Sequence, residues 1–210
     1  MIEKIIKAVK SSNKKRSRNI TIGAVIGFLL LCTAVAGAED KYLWIKKDGE
    51  IKFNTTETKN TDGSDGSWSE ENPYANAGNT WIDNTYTNNM TLSSSKANGK
   101  VNEAGNEYDI SYGLRLSGDL AGVNFINNGS IIGIGSNYGY GIYNDGGTIT
   151  TLTNNGLISG SSSGIWNDGG RIGTLTNNGL ISDSGILNER GTITTLTNTG
   201  VIYGKNSAIK

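Results

Sequence analysis

Leu152-Thr-Asn-Asn-Gly-Leu-Ile-Ser159 is one copy of a motif that recurs along the C-terminal half of the chain. It returns as Leu175-Thr-Asn-Asn-Gly-Leu-Ile-Ser182 and, with small changes, as Leu196-Thr-Asn-Thr-Gly-Val-Ile-Tyr203. A diverged copy, Phe125-Ile-Asn-Asn-Gly-Ser-Ile-Ile132, precedes them. The spacing between copies shortens along the chain while the motif is retained. Repetition of this kind predicts invariant strands joined by loops of changing length.

A second motif alternates with the first. Its copies are Gly141-Ile-Tyr-Asn-Asp-Gly-Gly-Thr-Ile149, Gly164-Ile-Trp-Asn-Asp-Gly-Gly-Arg-Ile172 and Gly185-Ile-Leu-Asn-Glu-Arg-Gly-Thr-Ile193. In both motifs the apolar residues come in short bursts of period two, which is typical of strands and not of helices. Asn, Asp and Gly punctuate the bursts and tolerate left-handed backbone angles, so the chain can turn sharply there. Each repeat is therefore predicted to be a ring of short strands with sharp corners.

One ring cannot bury its apolar side chains alone, but successive rings can stack about 4.8 Å apart and share a core. The sequence thus predicts an all-β chain, a right-handed parallel β-helix of roughly three to four rings. The repeat aligns the inward residues in columns, each of which contributes burial energy. These columns are Leu152, Leu175 and Leu196, with Phe125 before them; Ile158, Ile181 and Ile202; Ile142, Ile165, Ile186 and Ile209; and Ile149, Ile172 and Ile193.

The alignment also stacks Asn154, Asn177 and Asn198 at one corner. Stacked asparagine amides can hydrogen-bond to one another in a ladder, as they do in cross-β structures. A structural ladder is the favoured interpretation of these residues, and contact with a ligand is the alternative.

The first 38 residues have the order of a secretory signal peptide. Residues 1–22 hold seven of the 19 basic residues and one acid, and residues 20–35 carry no charge. The small residues Ala36 and Ala38 then precede Glu39, so cleavage is expected after Ala38. A retained membrane anchor and a lipoprotein anchor at Cys32 are the alternatives.

The long basic leader followed by these repeats resembles the passenger region of autotransporters, the type V secretion proteins of Gram-negative bacteria. The resemblance covers residues 1–38 and roughly 110–210. It implies export by the secretion machinery, passage through an outer-membrane β-barrel and display on the cell surface, commonly as an adhesin. The sequence departs from the family in having no barrel strands after residue 203, and residues 208–210 stop within a ring. The open end of the last ring predicts self-association.

Residues 39–121 lack the repeat and are expected to form an N-terminal cap, ahead of the repeat domain at 122–210. Tyr42 to Asn54 reads as a hairpin around an Asp48-Gly49 turn. In that register Trp44 faces Phe53, and Lys47 faces Glu50.

Several motifs resemble catalytic or metal sites but lack the groups that such sites require. Gly160-Ser-Ser162-Ser-Gly164 matches a nucleophile elbow and Ser182-Asp-Ser-Gly185 resembles a protease motif, yet the chain contains no histidine to act as base. Asp145 and Asp168 supply one carboxylate per ring, which is too few for calcium. No enzymatic activity, cofactor or metal is expected.

The favoured interpretation is an exported structural stalk or adhesin that binds a host surface protein or glycan through loops and through Tyr138, Tyr140, Tyr143 and Trp166. The acidic balance after residue 39 argues against nucleic acid as a partner. A carbohydrate-active β-helix enzyme and a nonfunctional truncated product are the alternatives. The expected location is the cell surface or the extracellular space.

Overall fold

The computed structural model describes residues 40–54, 68–135, 137–205 and 207–210. The predicted signal peptide with Ala36, Ala38 and Glu39 lies outside these residues. The described chain is all-β, as predicted, with two single-turn 3-10 segments at Lys47–Gly49 and Ala75–Ala77. Within it, no helix has the length and apolar character needed to cross a membrane.

The strands are β1 Leu43–Ile45, β2 Ile51–Asn54, β3 Trp68–Ser69, β4 Thr80–Ile82, β5 Thr85–Asn88, β6 Thr91–Ser94, β7 Gly99–Glu103, β8 Asn106–Asn127, β9 Ser130–Gly133, β10 Tyr138–Asn154, β11 Leu157–Gly160, β12 Ser163–Asp168, β13 Arg171–Asn177, β14 Leu180–Ile181, β15 Ile186–Glu189, β16 Thr192–Asn198 and β17 Val201–Ile202.

Parallel pairing arranges most of these strands in three faces. The first face is β1, β8, β10, β12 and β15 in that order. The second face is β5, β8, β10, β13 and β16, to which β8 and β10 contribute their C-terminal parts. The third face is β6, β9, β11, β14 and β17. The chain visits the faces in the same order in each repeat, so each strand lies beside its counterpart in the next repeat.

The side chains between the faces form one apolar core, because the pairing register repeats at each step. On the second face Leu152 pairs with Leu175, and Leu175 pairs with Leu196. Both Leu152 and Leu175 are fully buried. The same in-register stacking holds in the other three columns, Ile158–Ile181–Ile202, Ile142–Ile165–Ile186–Ile209 and Ile149–Ile172–Ile193.

Burial of these columns decreases at the last strands described. The exposed fraction is 38% for Leu196 and 47% for Ile209, against 0% for Leu175 and Ile165. The neighbouring Val201 is 37% exposed. The inward side chains of Leu196 and Ile209 therefore keep contact with water that their paired counterparts Leu175 and Ile186 lose.

Parallel pairing begins well before residue 122. Leu43 of β1 pairs with Leu114, Tyr86 of β5 pairs with Phe125, and Leu92 of β6 pairs with Ile131. Residues from the segment predicted to be a cap thus supply the first member of three core columns.

Aromatic rings close the N-terminal end of the core. Tyr86 stacks on Phe125 with ring centroids 5.5 Å apart. Phe53 packs edge-on against Tyr74 at 5.4 Å. The Tyr74 hydroxyl lies 2.6 Å from the Asn54 side-chain oxygen, and Asn79 Nδ2 donates to the Tyr86 hydroxyl at 3.0 Å. These large side chains cover the end of the aliphatic columns, and the hydroxyl groups of Tyr74 and Tyr86 are hydrogen-bonded.

The hairpin formed by β1 and β2 differs from the prediction by one residue in register. Leu43 pairs with Phe53 and Trp44 with Lys52, so Trp44 does not face Phe53. The loop contains the three residues Lys47–Gly49, with Lys46 N donating to Glu50 O, so Lys47 does not face Glu50. The observed register places Leu43 and Phe53 in the core together, which the predicted register cannot do.

Candidate functional site

A continuous asparagine ladder runs through the stack beside the second face. The side-chain Nδ2 of each member donates to Oδ1 of the next, from Asn88 to Asn127, Asn154, Asn177 and Asn198, at 2.8 Å in every step. All but Asn198 are fully buried. Each buried amide of this column both accepts and donates a side-chain hydrogen bond, so burial leaves few of its polar atoms without a partner. We refer to these five residues as the inner ladder.

A second asparagine ladder runs from strand to strand along the first face, through β10, β12 and β15. Asn144 Nδ2 donates to Asn167 Oδ1, and Asn167 Nδ2 donates to Asn188 Oδ1, both at 2.6 Å. The ladder starts at Asn144 because the residue paired with it in β8 is Leu116. Asn144 Oδ1 is consequently buried with no hydrogen-bond partner in the described chain.

A third ladder lies on the solvent side of the inner one, and its members follow the inner asparagines by one residue. We call it the outer ladder; it contains Asn89, Asn128, Asn155, Asn178 and Thr199, all exposed. Here donation runs in the opposite direction, with Nδ2 of Asn128, Asn155 and Asn178 each donating to the preceding member at 2.9 Å. Thr199 ends the ladder by donating its hydroxyl to Asn178 Oδ1 at 2.7 Å.

The Asn-Asn-Gly segment needs its glycine because neighbouring repeats approach closely there. A Cβ on Gly156 would overlap the carbonyl oxygen of Gly129, and a Cβ on Gly179 would overlap that of Gly156. The two asparagines and the glycine of the motif therefore have separate structural roles. The first asparagine joins the inner ladder, the second joins the outer ladder, and the glycine permits the close contact.

The four aromatic residues expected to bind a partner are mostly inaccessible, which corrects the sequence-based prediction. Tyr140, Tyr143 and Trp166 belong to a second buried cluster, with exposed fractions of 3%, 4% and 1%. Tyr143 stacks on Trp166 at 4.9 Å, while Tyr140 lies 4.6 Å from it. Only Tyr138 keeps partial exposure, so these rings stabilise the first face and do not form a binding surface.

Burial raises the pKa of the Tyr140 and Tyr143 hydroxyls well above the ordinary value of about 10. It also raises the pKa of Tyr86, although the hydrogen bond from Asn79 acts in the other direction. A folded-state pKa above the unfolded one gives a stability that is present below the unfolded pKa and is lost as pH rises towards the folded pKa.

We therefore expect the free energy of unfolding to fall once the pH exceeds about 10, because the unfolded tyrosines ionise and these buried ones do not. Tyrosinate absorbance, followed with ellipticity, should show that part of the tyrosine signal appears only on unfolding. Tyr86→Phe should make the alkaline loss less steep. Ionisation of all tyrosines at their ordinary pKa with native ellipticity retained would contradict the burial described above.

The residues of the motifs that resemble catalytic or metal sites have structural partners. Asp183 Oδ2 accepts from Ser159 Oγ at 2.7 Å and from Gly160 N at 3.2 Å, which braces a corner where Asp183 has a φ of 73°. Asp168 is paired with Arg190 at 2.6 Å, and Asp145 with Arg115. No group of three metal-ligating side chains comes together in the described ranges.

Arg190 takes the position held by Gly146 and Gly169 in the preceding copies of the second motif. Its φ of 56° is close to their 64° and 65°, so an arginine adopts a backbone angle that favours glycine. The ion pair with Asp168 gives this arginine a contact with the preceding repeat that a glycine would lack.

Comparisons with protein-family models, with curated proteins and with solved structures found no match.

Proposed function

We propose that the described chain is a right-handed parallel β-helix and that it serves as the passenger of an exported cell-surface protein, a structural stalk or adhesin of the autotransporter kind. The observation that carries the proposal is the in-register parallel stacking of all three faces together with three side-chain ladders. In such a stack each repeat is held by its contacts with the neighbouring repeats.

The outer side of the second face supports a role in adhesion. Threonines 151, 174 and 195 pair in register, as do threonines 153, 176 and 197, so hydroxyl groups form two parallel columns between β10 and β16. A regular row of hydroxyls beside the exposed amides of the outer ladder can hydrogen-bond to a repeating polar partner such as a glycan. This surface replaces the buried aromatic cluster as the proposed contact region.

Export is proposed from the charged, apolar and small-residue order of residues 1–38. Expression of the full chain in a Gram-negative host should yield a periplasmic or extracellular product whose N-terminal residue is Glu39. The double variant Ala36→Leu with Ala38→Leu should accumulate uncleaved, because signal peptidase sites need small residues at these positions. A cytoplasmic product that begins at Met1 would contradict export and leave the stacked fold unaffected.

A further inference from the structure

Three members of the outer ladder are followed directly by glycine: Asn128, Asn155 and Asn178. Asn-Gly is the dipeptide most prone to deamidate in a flexible chain, since glycine places no side chain in the way of the reaction. The glycine nitrogen attacks the asparagine Cγ and loses its proton to solvent, and ammonia leaves to give a succinimide. Water then opens the ring to aspartate or isoaspartate.

At these three corners both residues of the labile pair have a structural role. The asparagine supplies the amide of the outer ladder, with Asn155 Nδ2 donating to Asn128 Oδ1 at 2.9 Å. The glycine is required because any side chain would overlap the carbonyl of the preceding ring. The glycine cannot be exchanged without this overlap, and the asparagine can be exchanged only for a residue that keeps the ladder bond, as Thr199 does.

The same contacts block the reaction. The attacking nitrogen of Gly156 donates its N–H to Asn127 O at 3.1 Å, and that of Gly179 donates to Asn154 O at 3.1 Å. The leaving amide nitrogen of Asn155 is held by the ladder at the same time. Succinimide formation would break the hydrogen bond of the glycine N–H and that of the asparagine amide. It would also turn the glycine nitrogen away from the carbonyl group that it contacts.

The two ends of the outer ladder lack the labile pair. At the N-terminal end Asn89 is followed by Met90, and at the C-terminal end Thr199 precedes Gly200. Thr199 keeps the ladder bond to Asn178 and has no amide to lose. Thr199 lies between β16 and β17, in the ring whose inward residues are most exposed. Local opening of this ring should therefore be easiest.

We propose that Asn128, Asn155 and Asn178 are latent deamidation sites that the folded stack protects, and that opening of a ring converts them irreversibly. Deamidation places a negative charge in the outer ladder and removes an amide donor. Isoaspartate also adds a methylene to the backbone, which moves the glycine N–H away from its carbonyl acceptor. An opened and deamidated ring therefore re-forms its contacts less completely, and the loss is larger for isoaspartate than for aspartate.

The test is peptide mapping by mass spectrometry of the full chain, held at mildly alkaline pH with and without urea. Ellipticity establishes that the chain without urea is folded. Each of the three sites should deamidate at least about tenfold more slowly in the folded chain than in urea, because reaction then requires opening. Equal rates in the two conditions would overturn the proposal.

Two variants separate ring protection from the local sequence. Thr199→Asn creates an Asn-Gly pair in the most exposed ring, and its side chain should deamidate faster than Asn155 in the same folded molecule. Asn155→Thr should keep a Tm near that of the parent, as Thr199 does naturally, and should abolish deamidation at that corner alone. Deamidation at position 199 no faster than at Asn155 would show that ring opening does not control the reaction.

Discussion

Leu175→Asp should lower the free energy of unfolding by more than about 4 kcal/mol, enough to unfold much of the stack. Leu175 is fully buried and pairs in register with Leu152 and Leu196. Loss of the leucine alone costs about 2–5 kcal/mol, and an unpaired carboxylate between two rings adds to that cost. Urea unfolding followed by circular dichroism measures the change.

The matched control is Thr174→Asp. Thr174 lies one residue away, on the outward side of the same strand, beside Thr151 and Thr195. A carboxylate there stays in contact with water, so the expected loss is below about 1 kcal/mol. Equal losses for the two variants would refute the assignment of Leu175 to the inside.

Asn154→Asp should destabilise the protein by about 2–4 kcal/mol at neutral pH. Asn154 is fully buried; it accepts from Asn127 Nδ2 and donates to Asn177 Oδ1. A carboxylate keeps the first bond, loses the second and faces the Asn177 oxygen, which leaves a buried acceptor unsatisfied beside a buried charge.

The loss from Asn154→Asp should diminish at acid pH. Burial raises the folded-state pKa of the new carboxyl above its unfolded value of about 3.9. The protonated form is therefore favoured in the folded chain, and its O–H can donate to Asn177 Oδ1. Relative to the parent protein, stability is recovered as pH falls through the folded pKa and is lost again as pH rises through it.

Asn155→Asp supplies the comparison for this second prediction. Asn155 is exposed and belongs to the outer ladder, where its amide donates to Asn128 at 2.9 Å. Its replacement should cost less than about 1.5 kcal/mol, because water can satisfy the groups left behind. The inner ladder would not be a buried hydrogen-bonded column if the loss of stability in Asn154→Asp were independent of pH. The same would follow if that loss were no larger than the loss of stability in Asn155→Asp.

The all-β class could be predicted because the repeated motif carries its own register. Once Leu152, Leu175 and Leu196 are aligned, the places of all the remaining positions of the repeat follow. The first members of the core columns were missed for two reasons. Tyr86-Thr-Asn-Asn-Met-Thr-Leu-Ser93 is a diverged copy of the first motif in which methionine replaces the glycine, and its register could have been read from the sequence. Leu43 lies in a segment without the motif and could not be placed in this way. The place of Leu43 is decided by which apolar side chains fit the end of the core, a tertiary effect that local sequence does not encode.

The ladders were predictable in part. The stacking of Asn154, Asn177 and Asn198 follows from the repeat, and Asn127 could have been added from the diverged copy. The ladder of Asn144 and Asn167 has the same signal in the second motif, an asparagine two residues after a core isoleucine. The burial of Tyr143 and Trp166 was missed because alternation alone places them on the outward side of a strand, where a second cluster covers them.

Disulfide formation in engineered cysteine pairs tests the in-register parallel stacking most directly. In the full chain carrying Cys32→Ser, the pair Thr151→Cys with Thr174→Cys joins Cα atoms about 4.8 Å apart, which lies within disulfide range. The pair Thr151→Cys with Thr176→Cys is displaced by two residues along the strand, which places its Cα atoms beyond about 7 Å. In-register stacking predicts that mild oxidation cross-links the first pair in the folded chain and leaves the second reduced. Equal or faster cross-linking of the displaced pair would contradict it.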